Sequence, residues 1–583
     1  MRKILLSCCL LIFLLLFLSL RKRARNTIFS SDIRRESSVG CSPAVDAEAI
    51  LPNADGRYAP VFPGWGHYHH PITASNDSAQ FYFDQGLSLY YGYHLTEAVA
   101  SFKEAAVKDS NCAMAYWGQA LAMGPYYNNS YYYKMPHAVL PVLSQMNRLA
   151  DRASAKEREL ISAMDLRYSA DTTDSHRGVL NRAYSERMKE LIAKFPDDAD
   201  VKALYIDGVM IEHAWDLWDS KGVAKTWTPE LVKYCDDILA SNPYHPAALH
   251  YHIHLLEASR HPEVTLSSAD KLKDLMPGIP HMVHMSSHSY QRTGLYTKGI
   301  TVNDSANAAQ KYYDSIAGQL HLGPIVVHYY AVEAYCALNA AAWQKAKIAA
   351  AQCQRTVAAN RLIAQRNYLQ YLYSVPLFVQ VKLGKWSEIL DQPAPDKSWV
   401  YASLLDDFGR GMAYVRTGNT AAAQRCLDSL NVILKNPVLA IRQLPYNAAV
   451  VGAGVAEGIL EGELLFAQHR SEAGIAAFRR AIEREDSMSY LEPRDWLLSA
   501  RLFAGVYLLK LKRGAEAEKL YREELVQNPG NGWAMLGLAQ SLEAQVKGGA
   551  KEAGGRAREA AALRERARES FAGAEVKPMA SAY

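Results

Sequence analysis

The side chains in this sequence best able to do chemistry together are imidazoles gathered between residues 242 and 296. His250 and His254 precede Glu257, and His281 precedes His284 and His288. A helix advances about 100° per residue, so spacings of i, i+4, i+7 and of i, i+3, i+7 each fall within a sector of about 60°. Each set therefore lines one face of a helix. Pro243 and Pro277 are 34 residues apart, as are Pro246 and Pro280, and the second proline of each unit stands where a helix would begin. His250 and His284 then hold equivalent places on successive helices, as do His254 and His288, with axes expected about 8–10 Å apart. Two imidazoles from each helix can converge. Three from one helix cannot, because i and i+7 are separated by about 10 Å of rise and an imidazole–metal bond is about 2.1 Å. The expected metal ligands are His250, His254, His284 and His288. Glu257 is a further ligand, a general base, or the acceptor that fixes an imidazole tautomer. His281 is expected at the periphery.

Imidazole and carboxylate donors suit zinc, iron, copper, nickel or manganese. Met282 and Met285 tilt the choice slightly towards copper, although methionine is also ordinary core filler. If one coordination position stays open, a bound water could be activated, with Glu257 relaying its proton. Histidines on one face bind a peptide or an anion equally well without metal, so a module that docks a partner protein or peptide is the competing expectation. Other histidines read as structural. His252 points about 200° from His250 and packs. His261 lies in an exposed turn, His67, His69 and His70 read as a surface turn that could also fold back into the groove, and His328 is a lone core residue.

The elements that must position these residues recur on a clock of about 34 residues. Gly86, Ala98, Phe102 and Ala105 fall at positions 8, 20, 24 and 27 of a tetratricopeptide repeat. Gly411, Tyr414, Gly418, Ala423 and Leu427 fall at 8, 11, 15, 20 and 24; Gly462, Gly474, Phe478 and Ala481 repeat the first set. Gly505, Leu508, Ala517, Tyr521 and Pro529 take 8, 11, 20, 24 and 32, and weaker units surround Trp343 with Ala346 and Gly384 with Trp386. Small residues at 8 and 20 let paired helices approach closely, and the aromatic at 24 fills the gap. The expected fold is all-α, a tetratricopeptide-repeat solenoid winding as a right-handed superhelix of helix–turn–helix pairs. Its histidine helices line the concave groove. The expected divisions are an anchor or signal sequence (1–25), a tether with a histidine patch (26–75), repeat units carrying the histidines (76–315), further units (316–548) and a charged helical cap and tail (549–583).

Composition narrows the function classes. The 583 residues are 49% hydrophobic and 21% charged with net charge +4, the balance of a globular protein without the basic face of a nucleic-acid binder. No phosphate-binding glycine loop and no G-x-S-x-G motif occurs. The eight cysteines form no C-x-x-C pair and read as buried thiols. Ile4 to Leu20 is an apolar run flanked by basic residues, expected to anchor the chain in a membrane or export it, with the body leaning extracytoplasmic. The heavier basic cluster after the run argues the other way, so sidedness stays open. A cell-envelope lipid or assembly factor is a third reading, and only this leader supports it.

The stretches HHPITASNDSAQFYFDQGLSLYYGYHLTEAVASFKEAAVKDSNCAMAYWGQALAMGP, HPAALHYHIHLLEAS and LMPGIPHMVHMSSHSYQRTGLY resemble a family of bacterial tetratricopeptide-repeat proteins. The pattern is H-P-x-A-x-H-x-x-I-H-x-x-E-A-S followed by H-x-V-H-M-P-S/A-H-I-Y. It is met here at His245, His250, His254, Glu257, His281, His284, His288 and Tyr290. Ser286 stands where proline is usual and Ser289 where isoleucine is usual. The resemblance covers most of residues 65–545 and implies the fold; it supplies no reaction.

Overall fold

The computed structural model describes residue 47 and residues 50–171, 173–317, 327–357, 365–549 and 553–583. The chain is an all-α tetratricopeptide-type array; the sole β feature among the described residues is an isolated bridge between Trp218 and Ala224. Antiparallel helix pairs follow the repeat clock: Asp77–Tyr91 with Leu95–Lys108, Val400–Arg416 with Thr420–Ile433, Ala449–Ala467 with Ser471–Asp486, and Ala500–Lys510 with Gly514–Gln527. The first pair starts on an Asn76 cap, whose side chain accepts from the Ala79 N–H.

Packing follows from the small–aromatic pattern. A Cβ on Gly86 would lie 2.8 Å from the Phe102 ring, and one on Gly118 of the next helix 2.3 Å. The same wedge recurs where Phe478 meets Gly462 and where Tyr521 meets both Gly505 and Gly537. Position 15, the turn between paired helices, is left-handed in seven units, at Tyr93, Gly294, Ala341, Gly384, Gly418, His469 and Lys512. Glycine adopts that conformation freely; Tyr93, at φ 57°, does so at a steric cost.

The array has two apolar cores, one running from Ala47 to Tyr329 and one from Tyr296 to Ala582. The halves lock together where Gly294 meets Gly530, a contact so close that a Cβ on Gly294 would stand 2.0 Å from the Gly530 carbonyl oxygen. Arg292 donates to the Gln527 carbonyl at 2.7 Å, and the Glu575 and Val576 N–H groups donate to the Ala341 carbonyl. The terminal helix Ala553–Ser570 buries Ala560, Leu563, Ala567 and Ser570 and leaves its charged remainder to solvent.

Part of the expected tether is not free. Ile50, Ala59 and Phe62 are buried, and Phe62 stacks on Tyr313 at 4.8 Å, because these apolar side chains find the first repeats. Cys112, Cys235, Cys336 and Cys353 are buried free thiols. No helix among the described residues is long and apolar enough to cross a membrane. The run Ile4–Leu20 lies outside the described residues.

Phe102 is fully buried between two glycines. Phe102→Ala is expected to cost about 3–5 kcal/mol, read as a lowered urea midpoint; a loss below about 1 kcal/mol would contradict the wedge role.

Candidate metal centre

Two helices carry most of the site. The first histidine helix, Pro246–Leu256, begins on His245, whose Nδ1 accepts from the Ala248 N–H at 3.3 Å, with Pro246 in its first turn. The second, Pro280–Thr293, starts on Pro280 and ends on left-handed Gly294. Every residue from Pro246 to Leu256 and from Pro280 to Arg292 is buried. These are buried helices rich in polar side chains, so their hydrogen bonds must be found inside the protein.

The structure brings six imidazoles together. His281 Nε2 lies 3.1 Å from His250 Nε2, and His254 completes a first triad. His288 Nε2 lies 2.9 Å from His284 Nε2 and 3.4 Å from His328 Nε2, forming a second triad. Within each triad one ligand atom per residue lies within 4.8 Å of the others. Two nitrogens bound to one metal at about 2.1 Å stand about 3.0 Å apart at a right angle and about 3.4 Å apart at the tetrahedral angle. The observed separations have that bite.

The far ring nitrogens are oriented by acceptors. His250 Nδ1 donates to the Tyr91 carbonyl at 2.7 Å. His284 Nδ1 donates to Asn303 Oδ1 at 2.6 Å, and Asn303 is held by donating to the Gly299 carbonyl. His254 and His288 donate through Nδ1 to the two oxygens of Glu257, at 3.0 and 2.9 Å. A neutral imidazole has one proton, so these four rings present lone pairs at Nε2. This is how metal-binding histidines are held. His284 and His288 therefore meet lone pair to lone pair unless a proton or a metal ion stands between them. Two polar atoms of the first triad, His254 Nε2 and His281 Nδ1, are buried with no hydrogen-bond partner.

Burial disfavours the protonated rings. It holds His250, His281 and His284 well below the ordinary imidazole value, with neighbouring imidazoles adding to the effect. Burial likewise takes His328 down to about 3 and lowers His254. Burial pushes Glu257 upward, but His288 and His254 outweigh it and hold the carboxyl below the usual range. Glu492, beside Glu257, is raised well above its ordinary value by burial and by that neighbouring charge.

Aromatic residues and a loop close the centre. Tyr93 packs its ring 4.5 Å from His250 and 5.4 Å from His281, and its hydroxyl has no hydrogen-bond partner. Tyr127 packs 4.9 Å from His254 and stacks on Trp215 at 4.6 Å. Residues 487–499, between two helices of the distant half, descend onto the site. There Tyr490 donates to Glu257 Oε2 at 3.1 Å, and Trp215 Nε1 donates to Glu492 Oε1 at 3.3 Å.

Several sequence expectations need correction. The four expected ligands divide between two triads, His250 and His254 with His281 and His284 and His288 with His328, and a further group of His254, Glu257, His288 and Glu492 joins them. His281 is not peripheral: it is fully buried against His250. His328 is not solitary. Counting from Ala346 as position 20 puts it at position 2 of its helix, the same place as His281, so the weak repeat around Trp343 already held the signal. His70 is not in a surface turn; it is buried with Nδ1 2.5 Å from Asp200 Oδ2, while His67 and His69 are exposed. His252 packs against Ser268 and His261 is exposed. Met282 packs beside Gly92 in the core. Sequence reasoning missed Tyr93, whose place at position 15 instead of glycine was the available sign. Tyr490 and Glu492 come from a loop with no local signal.

No protein-family model matches this sequence, and a search of curated proteins finds no match. Solved structures of similar shape are helical-repeat chains. The APC/C hetero-tetramer Cut9–Hcn1 is 13% identical over 85% of this chain and 76% of that one, with TM-score 0.29. The human IFIT1 dimer with m7Gppp-AAAA is 12% identical over 82% and 88%, TM-score 0.29. Yeast Tom70 is 12% identical over 77% and 92%, TM-score 0.27. At these values no function carries over to this chain.

The lowered imidazoles set a pH dependence. They are neutral in the fold and protonated once unfolded below about pH 6.5, so the unfolded state binds more protons there. Stability of the metal-free protein is expected to be fully present above that value. It is lost on acidification, with His94 and His328 titrating in the fold only near about 3. Glu257 acts in the same direction below its ordinary 4.5. Urea midpoints should hold between about pH 8 and about pH 7 and fall from there to about pH 5; a flat profile throughout would contradict the neutral, buried cluster.

Proposed function

We propose that this chain is a helical-repeat scaffold that holds a transition metal ion on buried imidazoles, with His284, His288 and His328 as ligands. One observation carries the reading. His284 and His288 each commit their Nδ1 proton to an acceptor, yet their Nε2 atoms face each other at 2.9 Å. A proton between them would satisfy that pair, but it leaves His254 Nε2 and His281 Nδ1 unpartnered in the same enclosure. Imidazole donors admit zinc, copper or iron. Both oxygens of Glu257 are engaged by His254, His288 and Tyr490, which supports an orienting role over acid–base work. Five of the six imidazoles lie between His245 and Tyr290, within the pattern that carries the family resemblance.

A protein or peptide partner is a second part of the proposal, since repeat arrays offer extended concave surfaces. At the centre itself that surface is covered by residues 487–499, so a partner would dock elsewhere on the array. The apolar run Ile4–Leu20 supports attachment to a membrane.

The full chain, purified after growth with supplied metals, should contain near-stoichiometric metal by elemental analysis. His288→Ala should remove it, and Glu257→Gln should weaken binding about 10–100-fold. Acidification should release it as protons compete for the same lone pairs. Metal-free protein that still captures a partner segment would favour docking alone. In cell fractionation the full chain should pellet with membranes and a chain lacking residues 1–25 should not; equal partitioning would remove the anchor.

A further inference from the structure

The second triad does not account for the histidines of the first, which sit at a different place in the fold. His250 and His254 lie on one face of Pro246–Leu256, and His281 reaches them from the start of Pro280–Thr293. All three are buried, at 0%, 2% and 0% exposure. Ordinary core histidines at such depth satisfy both ring nitrogens. Here His254 Nε2 and His281 Nδ1 have no partner, and the Tyr93 hydroxyl beside them has none either. His250 has its Nδ1 proton fixed on the Tyr91 carbonyl, so its Nε2 lone pair faces His281 Nε2 at 3.1 Å.

We infer that the centre holds two transition-metal ions, the second among His250, His254 and His281. This rests on the proposal that the imidazoles bind metal at all. The separation into two positions follows from helix geometry: His281 and His288 are seven residues apart on one helix, about 10 Å of rise, and cannot share an ion. The two positions are nevertheless joined, because Glu257 takes His254 of one triad and His288 of the other on its two oxygens.

Each triad supplies three imidazole donors, a set that suits zinc, copper or iron.

The probe is copper(I) added anaerobically to the full-length metal-free protein against a chromogenic chelator, with copper counted by elemental analysis. The expected result is two equivalents on the wild type, one on His281→Ala, one on His328→Ala, and none on the double variant. Circular dichroism melts of each variant establish that it is folded. X-ray absorption on the wild type needs no variant and should give three nitrogen neighbours per copper with imidazole outer-shell scattering. One equivalent on the wild type, lost in either variant, would overturn the two-ion inference and leave the single-ion proposal standing. Zinc in the same titration should likewise reach two equivalents on the wild type and one on each single variant. No metal of any kind would overturn this inference and the proposal beneath it.

Discussion

The carboxylate of Glu257 stands between two buried helices and takes a ring proton from each, His254 at 3.0 Å and His288 at 2.9 Å. That arrangement decides which nitrogen of each imidazole carries the proton, and so which nitrogen is left with a lone pair. Asn303 and the Tyr91 carbonyl do the same for His284 and His250. The rings are thus turned so that their proton-bearing edges face protein acceptors and their basic edges face one another. Inside a low-dielectric interior such an arrangement is unfavourable unless a cation sits among the lone pairs.

The repeat architecture makes this burial feasible. Buried helices that carry several imidazoles need neighbours on every side to satisfy them. Pro246–Leu256 and Pro280–Thr293 are flanked by helices of the first half, and residues 487–499 arrive from the second half to cover them. Arg292 ties the closure together, donating to the Glu257 carbonyl at 2.9 Å and to Gln527 across the halves, with its guanidinium over the Tyr490 ring. Left-handed Tyr93, at φ 57°, places its ring against His250 and His281, and left-handed Trp215, at φ 53°, stacks on the Tyr127 ring that packs against His254; such conformations persist where surrounding packing holds them.

Much of the fold was legible because its determinants are local and periodic. Gly86 with Phe102, Gly462 with Phe478 and Gly505 with Tyr521 are pairs sixteen residues apart, and each is a contact in the structure. The two histidine faces were legible for the same reason, as a matter of helical angle. What the periodicity could not tell was which neighbour each face would meet. His281 and His328 both stand at position 2 of their helices, and only tertiary packing sends one to His250 and the other to His288. Tyr490 lies 233 residues from Glu257 and Glu492 lies 277 residues from Trp215, in a loop whose own sequence carries no repeat signal.

Crystals of the protein grown after metal loading, with diffraction recorded on both sides of the metal absorption edge, test the central claim most directly. The account requires anomalous density within bonding distance of the Nε2 atoms of His284, His288 and His328, with Glu257 still holding the Nδ1 edges of His254 and His288. Anomalous density bound elsewhere, or well-ordered rings with their Nε2 atoms turned to protein acceptors and no density between them, would contradict it.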